Sequence, residues 1–183
     1  MDVLVIDDRF EEKIGIFADT MTKAGLEYGI AGTLKTANEM FDSNSQDIST
    51  IILDLTFPKD DEDTVGILDR TESPNGIKFL ERNGLQMKLK EISLILNSCW
   101  DDDERDRHFT RTNYYRESKD LIIEILSEKT PLSHLTETSM QQLIRALQEA
   151  KEKHETIVKA PKPTNDDAWK KDIRTKYLLH DGD

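Results

Sequence analysis

Residues 50–58 read TIILDLTFP, a short apolar run that is followed by Asp54 and, four residues later, by Pro58. A run this short that closes on a proline is typical of a strand buried on both faces of a parallel sheet. Asp54 is then expected at the carboxyl end of the strand, where open α/β sheets bind their ligands. The alternative is that Asp54 only caps the loop that follows it.

A second apolar run, Val3–Ile6, also ends in acidic residues, Asp7 and Asp8. Asp8 and Glu11 have the spacing of a helix N-cap and its capping box, and apolar residues at helical spacing continue to about Ala24. Further strands are predicted over 28–34, 92–96 and 114–118, and further helices over 36–41, 76–83, 101–111 and 119–129. Helices that alternate with short strands in this way indicate a doubly wound parallel sheet with right-handed crossovers.

The composition fits a globular protein without a membrane anchor, with 36% hydrophobic and 34% charged residues. No segment approaches the roughly 18 apolar residues of a membrane span, and a strand at the very start leaves no room for a signal peptide. The single cysteine, Cys99, fits a reducing cytosol, so a cytoplasmic location is expected. Residues 1–130 hold the whole net charge of −12, with 28 acidic side chains against 16 basic ones, which argues against direct nucleic-acid binding.

Side chains that follow neighbouring parallel strands meet at one edge of the sheet, so Asp7, Asp8, Asp54 and Ser98 are expected in one pocket. Three carboxylates in one pocket repel each other unless a cation balances them, and oxygen ligands of this kind select Mg²⁺. An aspartate beside Mg²⁺ can also attack phosphorus and form an aspartyl phosphate. The hydroxyl of Ser98 and the ammonium of Lys119 would complete such a site. The alternative is that the aspartates are a helix cap and a turn residue.

The stretches VLVIDD (residues 3–8) and ILDLTFP (residues 52–58) together resemble the receiver domain of two-component response regulators. The resemblance divides the chain into a receiver-like domain (1–130) and a helical extension with a tail (131–183). It implies a flavodoxin-like, five-stranded sheet of order 2-1-3-4-5. It also implies a protein that accepts a phosphoryl group from a histidine kinase or phosphotransfer protein and signals to an output protein through protein–protein contacts.

The spacing of the matching residues implies one insertion, in the acidic loop 59–75. Gly76 lies 22 residues after Asp54, and Ser98 lies 44 residues after it. The corresponding intervals in the family are about eight and about thirty residues, so a single insertion of about fourteen residues accounts for both.

Carried over to this chain, the resemblance assigns Mg²⁺ binding to the side chains of Asp8 and Asp54 and to the backbone carbonyl of Thr56. Asp7 would bind the ion through a water molecule. A different class with an aspartate nucleophile, the haloacid dehalogenase phosphatases, needs a second acid two residues after the nucleophile. Thr56 occupies that position here, so this class is disfavoured.

On the phosphoryl side of the site, the resemblance assigns a hydrogen bond to Ser98 and an ion pair to Lys119. Two departures from the family bear on Lys119, because Asp120 follows it in place of a proline and Arg116 precedes it by three in place of an aromatic residue. Tyr115 is one position away from that aromatic place. These departures keep open a degenerate receiver that acts as a phosphorylation-independent binding module. As an enzyme, the chain would at most phosphorylate and dephosphorylate itself.

The C-terminal segment contains one long predicted helix, from Thr138 to about Val158, which opens with capping-box spacing to Gln141. The segment 131–183 is too short for a separate DNA-binding output domain. It is expected to pack on the edge of the receiver or to form a homodimer contact, and a docking peptide for a partner is the alternative. His154 is expected to be exposed on this helix and to have no role.

Overall fold

The computed structural model describes residues 1–60, 74–97, 108–126 and 135–159, apart from the side chains of residues 11–14, 16 and 159. The elements are β1 (Val3–Ile6), α1 (Phe10–Lys23), β2 (Tyr28–Ala31), α2 (Leu34–Asn44), β3 (Thr50–Leu53), α3 (Asn75–Leu89), β4 (Ser93–Asn97), α4 (Asn113–Glu117), β5 (Ile122–Leu126) and α5 (Glu137–Lys159), with a 3₁₀ turn over Lys119–Leu121. No helix within the described ranges is both long and apolar enough to cross a membrane.

The five described strands form one parallel sheet of order β2-β1-β3-β4-β5, which confirms the predicted doubly wound, flavodoxin-like fold class. Ile6 is paired with Leu53, and Leu53 is paired with Leu96. Because the strands run in the same direction and in register, the next residue of each strand reaches the same edge of the sheet. Asp7, Asp54 and Asn97 are those residues, so the topology brings them level with one another.

The central strands are buried on both faces because helices cover the sheet from two sides. Alternate residues of each strand point to opposite faces. Leu4 and Ile51 belong to the core that lies under α2 and α3, which contribute Phe41 and Phe79 to it. The other face forms a second core with residues of β1, β3, α1 and α5, namely Val3, Val5, Ile52, Phe17, Met21, Leu143 and Leu147. The continuous apolar runs predicted as buried strands are therefore explained by this two-sided cover.

The first two helices begin at residues other than the predicted caps. Arg9 is the N-cap residue of α1 and makes no side-chain cap bond, so the predicted capping by Asp8 was wrong. Thr33 is the N-cap residue of α2, and its side chain and that of Thr36 each accept a hydrogen bond from the other's backbone N–H, both at 3.2 Å. Gly25 lies two residues after the end of α1 and has a φ of 74°, the left-handed conformation in which a glycine commonly ends a helix.

The prediction for residues 114–129, an edge strand followed by a helix, was wrong, because α4 and then β5 occupy this segment. The Thr112 side chain begins α4 by accepting a hydrogen bond from the backbone N–H of Tyr115 at 3.1 Å. The apolar pairs at 121–122 and 125–126 suit one face of a helix as well as a strand. Pairing with β4 decides in favour of the strand, which carries a register shift opposite Leu94 and Ile95.

The long C-terminal helix forms where it was predicted, and it packs on the same face of the sheet as α1. Leu143, Ile144 and Leu147 of α5 are buried in the core that contains Val3 and Val5. The core therefore continues past residue 130, where the sequence predicted a change from a receiver-like domain to an extension. Residues beyond Lys159 lie outside the described part of the chain.

His154 is buried, contrary to the prediction that it is exposed. Only 2% of the residue is accessible to solvent. Its Nδ1 lies 2.9 Å from the carbonyl oxygen of Lys90, and its Nε2 lies 2.9 Å from the carbonyl oxygen of Gln46. The helical pattern of the sequence did not reveal this burial because the partners are backbone atoms that follow two distant helices.

Candidate functional site

The carboxyl ends of β1 and β3 bring three acidic side chains together. One carboxylate oxygen from each of Asp7, Asp8 and Asp54 lies within 4.8 Å of the other two. Asp7 and Asp54 are 2% and 1% exposed, and Asp8 is partly exposed. The proximity of these three residues, which the sequence predicted from the strand ends, is therefore present in the structure.

The carboxylate of Asp54 is oriented by the residue two positions later. Its Oδ1 accepts a hydrogen bond from the backbone N–H of Thr56 at 3.1 Å, and the Thr56 hydroxyl lies 3.4 Å from the same oxygen. An aspartate that accepts from the backbone two residues on is a common way for a chain to leave a strand. The same local bond that begins the loop therefore restrains the Asp54 side chain in the acidic cluster.

Asp7 and Asp8 have different surroundings, although they are adjacent in sequence. Oδ1 of Asp7 accepts a hydrogen bond from the backbone N–H of Arg9 at 2.8 Å. Oδ1 of Asp8 is buried and has no hydrogen-bond partner among the described residues. A buried carboxylate oxygen without a donor is unfavourable unless a cation faces it. The donor set is made of oxygen atoms alone, which suits a hard divalent cation such as Mg²⁺.

The third helix begins directly against the backbone that carries Asp54. Gly76 lies in the first turn of α3, and its backbone N–H donates to the carbonyl oxygen of Leu55 at 3.1 Å. A Cβ at this position would lie 2.5 Å from the Asp54 carbonyl oxygen and 2.7 Å from the Cα of Leu55. Only glycine permits so close an approach without movement of the backbone. Gly76 therefore lies one residue after the start of α3, within one residue of the helix start predicted at position 76.

The loop after Asp54 is fastened by the first turns of two helices. Backbone N–H groups of Leu34 and Lys35 in α2 donate to the carbonyl oxygens of Pro58 and Lys59, at 2.9 and 3.1 Å. The side chain of Asn75 donates to the carbonyl oxygen of Phe57 at 2.7 Å. First-turn N–H groups of a helix have no partner within the helix, so they are available for such contacts. The sequence pattern predicted Asn75 as part of the loop 59–75 and did not indicate this role.

A further polar residue, Asn97, reaches the same edge of the sheet from β4. It is 8% exposed and lies one residue after Leu96, which pairs with Leu53 of β3. Asn97 was not among the predicted site residues, although its place at a strand end next to Ser98 is a signal for it in the sequence. Ser98 itself lies outside the described residues.

The structure does not bring Lys119 to the acidic cluster. Lys119 begins the 3₁₀ turn that precedes β5, so it lies at the amino end of that strand. The acidic residues lie at the carboxyl ends of the strands, and β5 is two strands away from β3, roughly 10 Å across the sheet. The Nζ of Lys119 instead lies 4.9 Å from the centre of the Tyr115 ring. The predicted position of Lys119 was wrong because the sequence pattern had placed the fifth strand before this residue, whereas β5 follows it.

No protein-family model and no curated protein sequence matches this chain. Several solved structures match its fold. A response regulator receiver domain from Clostridium thermocellum is 17% identical with a TM-score of 0.54, and the match covers 85% of this chain and 98% of that one. The receiver domain of the Francisella response regulator 1452 is 17% identical with a TM-score of 0.51, and the match covers 83% of this chain and 97% of that one. The NtrX receiver domain of Brucella abortus is 16% identical with a TM-score of 0.51, and the match covers 82% of this chain and 98% of that one.

These matches define the class of the fold. The chain is similar to response regulator receiver domains over nearly their whole length, and its sheet has the strand order 2-1-3-4-5. The resemblance inferred from VLVIDD and ILDLTFP is therefore confirmed at the level of the fold. The acidic cluster lies at the carboxyl edge of that sheet, where α/β folds of this kind hold their ligands.

Proposed function

We propose that this chain is a phosphoryl-accepting receiver of a two-component signalling system, with Asp54 as the phosphoacceptor. The observation that carries the proposal is the cluster of Asp7, Asp8 and Asp54 at the carboxyl edge of a receiver-type fold. Asp54 is the central member of this cluster, because it extends from the middle strand of the sheet and is held by Thr56.

In the proposed reaction, a carboxylate oxygen of Asp54 attacks the phosphorus of a phosphohistidine. A new P–O bond forms, the P–N bond breaks, and the imidazole nitrogen keeps the electron pair and takes up a proton. The product is an aspartyl phosphate. The donor class is a histidine kinase or a phosphotransfer protein, and the phosphorylated surface then acts on an output protein through protein–protein contacts.

The residues that would hold Mg²⁺ are the side chains of Asp8 and Asp54 and the backbone carbonyl of Thr56, with Asp7 acting through a water molecule. The buried Oδ1 of Asp8, which has no hydrogen-bond partner among the described residues, supports this assignment. When bound, Mg²⁺ neutralises charge on the transferring phosphoryl group. The chain's own part is to hold the carboxylates in place, through the bonds from Arg9 to Asp7 and from Thr56 to Asp54.

The lysine of the site is proposed to be Lys129 rather than Lys119. A lysine that pairs with the phosphoryl group must follow a strand at the carboxyl edge of the sheet. With β5 ending at Leu126, the first lysine after it in the sequence is Lys129, and Pro131 comes two residues later. Residues 127–134 lie outside the described part of the chain. Ser98 keeps its proposed hydrogen bond to a phosphoryl oxygen.

The alternative function is a degenerate receiver that binds a partner without being phosphorylated. The observation in its favour is the position of Lys119, which lies at the opposite edge of the sheet from the acidic cluster. The same chain would then keep the receiver fold and present a constant surface to its partner. For either function we propose a cytoplasmic location, where such signalling partners occur.

A phosphorylation experiment distinguishes these two functions. The full chain is incubated with Mg²⁺ and acetyl phosphate or a phosphorylated histidine kinase, and the mass of the intact protein is followed. We expect the addition of one phosphoryl group, its loss when Mg²⁺ is chelated, and no addition to Asp54→Asn. Asp19→Asn, which changes an exposed carboxylate on α1, is the matched control and should react as the unmodified chain does. No addition from either donor would leave only the binding module.

A further inference from the structure

The buried imidazole of His154 lies between two backbone carbonyl groups, each at the C-terminal end of a helix. Lys90 directly follows α3, and Gln46 lies two residues after α2. The carbonyl oxygens of these residues are 2.9 Å from Nδ1 and Nε2 of the ring. Both partners are hydrogen-bond acceptors only, so each ring nitrogen must donate a proton for both contacts to be hydrogen bonds.

A neutral imidazole cannot make both bonds. It carries one N–H group, so its other nitrogen would direct a lone pair at a carbonyl oxygen in a site where only 2% of the residue is exposed to solvent. An imidazolium cation carries two N–H groups and satisfies both oxygens. The C-terminal end of a helix has a partial negative charge, so two helix ends that meet at one ring favour the cation further.

We propose that His154 is an imidazolium cation in the folded protein, and that this cation is a pH-dependent clamp that fastens the C-terminal half of α5 to the ends of α2 and α3. Loss of the proton removes one of the two hydrogen bonds and leaves a carbonyl oxygen buried without a donor. The clamp holds the part of α5 that lies beyond its core residues Leu143 and Leu147. It thereby controls how firmly the end of the chain's last described helix is attached.

The charged groups near His154 are for the most part already paired. They come from α5, from the turn after α3 and from the segments before β1 and β3, and they are Lys151, Lys153, Glu155, Lys90, Glu91, the amino group of Met1, Asp2 and Asp47. Lys151 pairs with Asp2 at 2.9 Å, and Lys153 pairs with Glu91 at 2.6 Å. The groups in hydrogen-bond contact with the ring are the two carbonyl groups.

The direction of the pH effect follows from the bonding. The two hydrogen bonds need a proton on each ring nitrogen, so the attachment of α5 is firmest while both nitrogens are protonated and weakens as the pH is raised. The C-terminal half of α5 is thus held most firmly in mildly acid conditions.

The protonation state can be measured directly on the unmodified, ¹⁵N-labelled full chain. Imidazole ¹⁵N chemical shifts at about pH 7 report whether one or both ring nitrogens carry a proton. We expect both nitrogens of His154 to be protonated. A spectrum of His154 with one protonated nitrogen at this pH would overturn the proposal.

Hydrogen exchange tests whether protonation of the His154 ring controls how firmly the C-terminal half of α5 is attached. Backbone amides of residues 151–159 are compared at about pH 6 and pH 8, after correction for the intrinsic pH dependence of exchange. We expect protection to fall about fivefold at the higher pH in the unmodified chain, because one buried hydrogen bond is lost. His154→Gln should show no such change, whereas His108→Gln should behave as the unmodified chain. An equal fall in His154→Gln would show that the ring is not the clamp.

Discussion

Replacement of Gly76 by alanine should displace the backbone that carries Asp54. The added Cβ would lie 2.5 Å from the carbonyl oxygen of Asp54 and 2.7 Å from the Cα of Leu55. Non-bonded carbon atoms prefer separations of about 3.5–4.0 Å, so α3 or the end of β3 must move by roughly 1 Å. Both obstructing atoms belong to the backbone, and no flexible side chain can move away to make room.

The expected loss of stability is modest, and the expected loss of phosphorylation is larger. Overpacking costs about 1–3 kcal/mol, and the better helix propensity of alanine returns at most about 1 kcal/mol. A net loss of roughly 1–2 kcal/mol should lower the Tm by about 2–8 °C in a chain of this size. A displacement of about 1 Å at a reacting group can reduce a rate by up to about 100-fold. Circular dichroism and the initial rate of phosphoryl incorporation measure the two effects.

Gly15→Ala is the matched control for this prediction. Gly15 also lies within a helix, but a Cβ added there meets no atom within 4 Å. Alanine at position 15 should leave phosphorylation unchanged and stabilise the chain by up to about 1 kcal/mol. If Gly76→Ala unfolded at the same temperature as the unmodified chain and accepted phosphoryl groups at the same rate, the close approach of α3 would not be what positions Asp54.

Asp8→Asn should weaken Mg²⁺ binding by at least about tenfold, measured by isothermal titration calorimetry, and unchanged affinity would remove Asp8 from the ligand set. Lys119→Ala should leave the rate of phosphorylation unchanged while Lys129→Ala reduces it, and the reverse order would restore Lys119 to the site. Burial, and then the charge of Asp120, raise the pKa of Tyr114, whose hydroxyl has no hydrogen-bond partner among the described residues. Tyr114→Phe should therefore keep or increase stability in urea unfolding, by up to about 1 kcal/mol, and a loss would indicate a hidden partner.

The sequence predicted the acidic cluster because the features that form it are local. An apolar run buried on both faces is visible in Val3–Ile6 and again in 51–53, and the aspartates follow these runs directly. Parallel pairing in register then brings Asp7 and Asp54 to the same edge of the sheet without any further information. The place of Gly76 near the start of a helix was predicted from the resemblance, by comparing its distance from Asp54 with the interval usual in receiver domains.

The fifth strand could not be predicted in this way, because its pattern is ambiguous. Apolar residues at 121–122 and 125–126 satisfy the spacing of a helix and of a short strand equally well. Hydrogen bonds to β4 decide between them, and these involve residues about thirty positions earlier in the chain. The error then moved Lys119 from one edge of the sheet to the other.

The burial of His154 was missed for a related reason. A helical pattern shows which side of a helix is apolar, and a histidine among charged residues is normally assigned to the exposed side. The carbonyl groups of Gln46 and Lys90 that bind this ring belong to the backbone, so no side chain in the sequence indicates them. Burial of a polar ring by backbone acceptors becomes visible only in three dimensions.

The bonds from the first turns of α2 and α3 to the carbonyl groups of residues 57–59 have a practical consequence for protein engineering. The carbonyl groups of Pro58 and Lys59 accept hydrogen bonds from α2, and that of Phe57 accepts one from Asn75. The backbone that follows Asp54 is therefore restrained by residues on either side of the stretch 61–73. The entropy of closing a loop grows slowly with its length, by about 0.6 kcal/mol for each doubling. Because these bonds lie outside residues 61–73, a change in chain length within that stretch should leave the backbone that follows Asp54 in place.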